Sequence, residues 1–148
     1  RNRARTPSLS NPRFPLPDAG FICIVGGIGI TPGLSIIATA ADQQDPRPIQ
    51  LIYGIESSTE IPFLEDLQTL SARCNLSISI LVNHPEPDWH GLRGLITTDS
   101  LRVLLPDDAA SRNIVVCGPP AMMHSVASRL EELGVPPGVV RLESFALA

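Results

Sequence analysis

The feature that most constrains this chain is a short apolar run that ends in glycines and leads into a helical pattern. Residues 21–25 read FICIV, as expected of a strand that is buried on both faces of a parallel sheet. The segment GGIGITP follows at 26–32. Pro32 suits the first turn of a helix, and apolar residues then recur at helical spacing as far as Ala41. The pattern predicts a strand–loop–helix unit.

Four further apolar runs repeat the strand pattern, at residues 49–54, 77–82, 113–118 and 139–145. Strands that alternate with helices need crossover connections, so neighbouring strands are expected to run parallel. The sequence therefore predicts an α/β fold, a doubly wound parallel sheet of five strands with helices on both faces.

Helical patterns separate these later strands. They cover residues 63–70, 98–105 and 121–133. Hydroxyl side chains at the start of a helix cap its free N–H groups. The expected caps of the first two helices are Ser58 or Thr59, and Thr97 or Thr98.

Composition excludes several classes of protein. The chain has 148 residues, of which 43% are hydrophobic and 4% aromatic, and its formal net charge is −4. An acidic balance disfavours binding to nucleic-acid backbones and to anionic membranes. So few aromatic residues argue against a stacking surface for single-stranded nucleic acid. We expect a globular domain without a nucleic-acid partner.

Two further features bear on location and on metals. Residues 19–41 carry no charge and are long enough to span a membrane. The glycines and Pro32 in their middle fit the strand–loop–helix unit instead, so no membrane contact is expected from this segment. Cys23, Cys74 and Cys117 are odd in number and lack C-x-x-C spacing, which disfavours a disulfide framework and a metal site. A reducing, cytoplasmic setting fits best.

The glycine loop is the first candidate site. Open parallel sheets bind ligands beyond the carboxyl ends of their strands. Glycines allow close approach to a pyrophosphate, and a helix N-terminus offers free N–H groups and a positive dipole end. The loop has Pro32 where G-x-G-x-x-G has its third glycine, and a tight turn without a ligand is the alternative. The candidate binding residues are Gly27, Ile28, Gly29, Ile30, Thr31 and Pro32.

The end of the second predicted strand carries an acid, Glu56, two residues after Gly54. An acidic side chain at this position commonly accepts hydrogen bonds from the adenosine ribose and repels the extra phosphate of NADP. Gly54 and Glu56 are therefore candidate cofactor-binding residues that favour NADH. A solvated loop acid is the alternative.

The end of the fourth predicted strand reads CGPPAMM at 117–123. A small, polarisable side chain beside a glycine can lie against a flat ring without crowding it. A buried core cysteine is the alternative, and methionines are more often core fillers than ligands. The candidates are Cys117, Gly118, Pro119, Met122 and Met123.

Five segments together resemble the ferredoxin–NADP reductase superfamily, especially bacterial flavin reductases and the dehydrogenase domains of ferric reductases and NADPH oxidases. They are GGIGITP at 26–32, IYGIESSTEIPFLEDL at 52–67, GLRGLITTDSL at 91–101, CGPPAMM at 117–123 and ESF at 143–145. The resemblance implies an NAD(P)H-binding domain of a flavin-dependent oxidoreductase, in which hydride passes from nicotinamide C4 to flavin N5 for onward electron transfer.

The resemblance also implies roles for individual residues. The glycine loop holds the pyrophosphate, and the position of Thr31 lies near the nicotinamide. The position of Cys117 packs beside nicotinamide C4, and that of Glu143 borders the same site. The aromatic at the position of Phe145 covers the flavin until nicotinamide displaces it. Members that prefer NADPH often carry Arg where this chain has Glu56, so NADH is expected and NADPH remains possible.

The flavin-binding barrel of the family, with its Arg-x-Tyr/Phe-Ser/Thr motif, is absent from this sequence. FAD or FMN is therefore expected on a missing domain, either on the same gene or on a partner chain, with a downstream electron acceptor. Residues 1–18 are expected to be a linker or the end of that flavin domain, and residues 19–148 the NAD(P)-binding domain. The chain alone is expected to be inactive. The alternatives are a non-catalytic NAD(H)-sensing module and a scaffold that no longer binds nucleotide.

Overall fold

A computed structural model describes residues 15–143 of the chain. The predicted site residue Phe145 and residues 1–14 lie outside this described part. Within residues 15–143 the strands are β1 (Phe21–Gly26), β2 (Ile49–Ser57), β3 (Leu76–His84), β4 (Leu92–Arg93), β5 (Asn113–Cys117) and β6 (Val140–Glu143). The α-helices of the same part are α1 (Ile30–Asp42), α2 (Leu64–Ser71), α3 (Thr98–Leu104) and α4 (Pro120–Glu132). Short 3-10 helices cover Gly27–Gly29, Ala109–Ser111 and Pro137–Val139.

The strands form one parallel sheet in the order β4-β3-β2-β1-β5-β6. The chain moves outward from β1 to β4 and then returns to β5 on the other side of β1, which confirms the predicted doubly wound topology. The predicted number of five strands was wrong, because the described part contains six. The additional strand is Leu92–Arg93, which pairs with Leu81 and Val82 of β3. Two residues are too few to show an alternating pattern in the sequence.

Alternating side chains of each central strand enter two separate cores. In β1, Ile22 and Ile24 pack with α3 and α4, whereas Cys23 and Val25 pack with α1 and α2. All four side chains are fully buried. The period of two in a strand therefore distributes a continuous apolar run over both faces of the sheet, and the predicted helices on both faces are confirmed.

The start of α2 differs from the prediction. The residue before the helix is Phe63, whose φ of 64° lies in the left-handed region, and it makes no side-chain capping bond. Ser58 and Thr59 are not caps: the Ser58 hydroxyl accepts a hydrogen bond from the Glu86 amide, and the Thr59 hydroxyl bonds the Glu86 carboxylate. They join two loops at the carboxyl edge of the sheet instead.

Two polar side chains fasten the segment that leads into β1. Asn113 is completely buried, and its side-chain amide donates to the carbonyl of Leu16 at 3.1 Å while its oxygen accepts from the Leu16 amide. Arg47 donates to the carbonyls of Pro17 and Ala19, each at 3.3 Å. Contacts with the sheet therefore begin before the boundary expected at residue 19. Among the residues described here, no helix is both long and apolar enough to cross a membrane.

Candidate functional site

A cavity of about 590 Å³ opens at the carboxyl edge of the sheet. It lies beyond the ends of β1 and β2 and is walled by α4 and the loop before α3. This edge, where the strand order reverses, is where open α/β sheets bind ligands. The residues that line the cavity are Gly26, Gly27, Tyr53, Gly54, Ile55, Glu56, Ser57, Glu60, Pro62, Gly94, Leu95, Ile96, Thr97, Pro119, Met122, Ser125, Val126 and Arg129.

The glycine loop presents open backbone on one side and tight packing on the other. Gly27 has a φ of 54°, which L side chains rarely adopt, and a Cβ built there would meet no protein atom within 4 Å. A Cβ on Gly29 would instead collide with the carbonyl of Cys117. Helix α1 begins directly after this loop without a side-chain cap. The loop thus leaves N–H groups of the helix start without a side-chain partner.

Glu56 stands at the end of β2 as an exposed carboxylate. The amide nitrogen of Asn83 lies 3.4 Å from both of its oxygens, and Nε2 of His84 lies 3.8 Å from Oε1. The side chain of Glu56 is 74% exposed. Tyr53, on the same strand, is buried and donates from its hydroxyl to the Pro62 carbonyl at 3.2 Å. Tyr53 therefore ties β2 to the loop before α2, while the carboxylate of Glu56 stays available to a polar ligand.

Cys117 and Glu143 meet on neighbouring strands at the other side of the glycine loop. They are register partners of β5 and β6, and Cys117 is 1% exposed within the core beneath α1. Burial raises the pKa of the Cys117 thiol, and the nearby carboxylate of Glu143 raises it further. Glu143 itself accepts a hydrogen bond from Nε of Arg141 at 2.7 Å. The thiol is therefore neutral at physiological pH, which makes it unsuited to nucleophilic catalysis.

The predicted site residues fall into distinct groups. Those lining the cavity are Gly27, Gly54, Glu56, Pro119 and Met122. A second group lies beside the cavity, where the glycine loop contacts the ends of β5 and β6. Its members are Gly29, Cys117, Gly118 and Glu143. Ile28 and Thr31 are exposed on the loop and the first turn of α1, and Pro32 is half-buried. Ile30 and Met123 are buried in the cores on opposite faces of the sheet, away from the cavity.

Several cavity residues were missed by the sequence reasoning. Leu95 is 61% exposed and projects from the loop before α3, next to Ile96. On α4, Ser125, Val126 and Arg129 line the cavity together with Met122. They follow Met122 by three, four and seven residues, the spacing of one helix face. That spacing was visible in the sequence. The loop residues carried no comparable signal.

The cavity combines largely apolar walls with a few polar groups. Its walls are largely apolar, a carboxylate stands at one margin, and backbone N–H groups are offered beside it. Within residues 15–143, no group of three or more His, Cys, Asp or Glu side chains is placed to hold a metal ion. The fold and cleft together define a nucleotide-binding α/β domain.

Residues 23–128 match the family described as oxidoreductase NAD-binding domain. This match covers more than half of the chain, so the chain belongs to that family. The resemblance to the ferredoxin–NADP reductase superfamily, first indicated by five short motifs, is thereby confirmed.

Reductases of known name are similar to this chain in sequence and in structure. The chain is 33% identical over 113 residues to an NADH-cytochrome b5 reductase-like protein, alnC, of Emericella nidulans, covering 75% of this chain and 24% of the relative. It is 34% identical over 125 residues to the ferredoxin–NAD(P)(+) reductase component of the naphthalene 1,2-dioxygenase/salicylate 5-hydroxylase systems of a Ralstonia species, covering 84% and 38%. The crystal structure of the cytochrome b5 reductase domain of Ulva prolifera nitrate reductase superposes with a TM-score of 0.72 at 26% identity, covering 85% and 49%. The chain thus spans less than half of each of these proteins.

Proposed function

We propose that this chain binds NADH and presents its nicotinamide to a flavin held by another domain, so that the complete protein is a flavin-dependent reductase. The observation that carries the proposal is the convergence of three motifs on one cleft. Gly27 after β1, Glu56 at the end of β2 and Met122 after β5 all line the same cavity. Membership of the NAD-binding family supports the same function.

The residues present fit a dinucleotide. Gly27 leaves open space where a side chain would block a diphosphate. The 3-10 helix Gly27–Gly29 leads directly into α1 and has no side-chain cap, so its first N–H groups and the positive end of the helix dipole face the loop. The volume of about 590 Å³ lies within the range of about 300–1,000 Å³ that is usual for small-molecule and cofactor sites. No side chain in the glycine loop supplies a negative charge that would oppose the diphosphate.

Each segment then has a separate task. Backbone N–H groups within residues 27–31 bind the diphosphate, while Glu56 accepts hydrogen bonds from the adenosine ribose and repels the additional phosphate of NADPH. Cys117 and Gly118 are buried at the tip of β5 beside the glycine loop, and we assign them to the small, uncharged floor beneath the nicotinamide ring. Glu143 lies at the border of that surface, and its carboxylate adds to the effect of burial in raising the pKa of the Cys117 thiol. When bound, NADH supplies a hydride at nicotinamide C4 for a flavin outside this chain.

Calorimetric titration of the chain with NADH and NADPH tests the binding step. We expect one NADH per chain and weaker binding of NADPH, and no binding of either would overturn the proposal. The redox step is tested by joining the chain to a flavin-binding domain and following flavin bleaching after NADH is added. Tight NADH binding without any bleaching would instead favour a non-catalytic sensing module.

A further inference from the structure

We propose that Arg129 is a specificity-determining residue that binds the adenine base of the nucleotide. The inference rests on the proposed function and concerns a residue that none of the sequence motifs contains. Arg129 is the one cationic side chain among the described residues that line the cavity. It lies on α4 seven residues after Met122, which places it about 10 Å further along the helix axis.

The guanidinium of Arg129 is held in place by hydroxyl groups. Its Nε donates to Oγ of Ser125 at 3.0 Å, and its Nη1 donates to Oγ1 of Thr98 at 3.4 Å. Thr98 is in turn bonded to Glu132 at 3.3 Å. Within residues 15–143 no carboxylate forms an ion pair with Arg129. The side chain is therefore oriented by neutral partners and makes no direct ion pair with a carboxylate in this part of the chain.

The location of Arg129 in the cavity favours adenine as the part of the nucleotide that it contacts. With the diphosphate proposed at Gly27 and the ribose at Glu56, we assign the part of the cavity beside Arg129 to the attached adenine. The cavity that Arg129 lines also carries apolar side chains, among them Ile96 and Val126, which suit a flat purine. A guanidinium attracts the π face of an aromatic ring, and its N–H groups can donate to ring nitrogens.

A phosphate is the less suitable occupant of the same space. Glu56 and Glu60 line the cavity together with Arg129, and two carboxylates would repel a further anionic group. An anion would also have to lose its hydration against the apolar walls. The charge of Arg129 is therefore better matched to an uncharged ring than to the additional phosphate of NADPH.

The test measures binding of ADP, 2′,5′-ADP and nicotinamide mononucleotide by calorimetry to the wild-type chain, R129M and R129K. Met retains the approximate length of the side chain without its charge. Lys retains the positive charge without the planar guanidinium group. We expect R129M to weaken ADP binding about fivefold, the scale of a partly desolvated cation–π contact. R129K should recover part of that loss, and binding of nicotinamide mononucleotide should not change. R102M, at an exposed arginine on α3 that is paired with Asp99, should bind all three as the wild type does.

The outcomes separate this inference from the proposed function. A wild-type chain that binds neither ADP nor NADH overturns both. Normal ADP binding by R129M overturns the inference alone. A greater loss of 2′,5′-ADP than of ADP also overturns it, because Arg129 would then bind the 2′-phosphate. If R129M does not fold, R129Q provides the same comparison.

Discussion

Cys117 and Glu143 occupy paired positions on the adjacent parallel strands β5 and β6. Side chains at paired positions project from the same face of a sheet, and here that face is covered by α1. Burial is the larger cause and the Glu143 carboxylate the smaller cause of the raised pKa of Cys117. The pair therefore provides a neutral, compact thiol at the tip of β5, next to the backbone of Gly29.

The Glu143→Gln variant should lower the pKa of Cys117, because it removes the nearby negative charge that disfavours the thiolate. The pKa should stay above that of a free thiol, since the burial remains. The measurement is a pH titration of the Cys117 β-carbon signal by NMR, with Glu131→Gln on the exposed side of α4 as the control. An unchanged titration in Glu143→Gln would show that the two groups do not interact.

Gly27→Ala should weaken NADH binding at least about tenfold, because its methyl group would enter the space proposed for the diphosphate. Gly134→Ala is the matched control: Gly134 also has a positive φ, 86°, and no atom within 4 Å of an added Cβ, and it is not part of the cavity lining. Both variants should lose about 1 kcal/mol of stability from backbone strain. Calorimetry and urea unfolding distinguish the two effects. Equal NADH affinity in both variants would show that Gly27 does not contact the bound nucleotide.

Glu56→Gln should raise the affinity for NADPH about three- to tenfold relative to NADH, because a neutral amide no longer repels the 2′-phosphate. The matched control is Glu65→Gln in the first turn of α2, where the carboxylate is exposed and outside the cavity lining. The ratio of the two dissociation constants is the measurement. A ratio that changes equally in both variants would indicate only an effect of net charge.

Cys23 should make stability fall at high pH. Burial raises the pKa of this thiol from the ordinary 9.0 to about 12, so the unfolded chain loses the proton at a lower pH than the folded protein does. The contribution of the Cys23 thiol to the free energy of unfolding is complete below pH 9. It is lost as the pH rises from 9 towards 12, by about 1.4 kcal/mol per pH unit. Urea unfolding between pH 8 and 11 should show a shallower decline in Cys23→Val than in the wild type. Identical slopes would contradict the burial of this thiol.

Most of the fold follows from local patterns. The run at 21–25 has no polar position, and its two faces are both buried, which is why it predicted a central parallel strand. Leu92 and Arg93 gave no such signal, because their strand exists only through pairing with β3. Phe63 could not be foreseen as the residue before α2, since its left-handed conformation runs against ordinary residue preferences.

The lining of the cavity was predictable where it follows the ends of strands. Gly27, Glu56 and Met122 follow or end β1, β2 and β5, and the doubly wound topology brings these ends together. Leu95 and Arg129 join the cavity only through the packing of a loop and of a later turn of α4. Met123 illustrates the opposite case, because its neighbour Met122 faces the cavity while helical rotation turns Met123 into the core.

The most direct test of the central claim is a crystal structure of the chain at saturating NADH. The account predicts the diphosphate within hydrogen-bond distance of backbone N–H groups within residues 27–31, and the nicotinamide ring against Cys117 and Gly118. A cavity that stays empty under these conditions, or that the protein's own side chains fill, would contradict it.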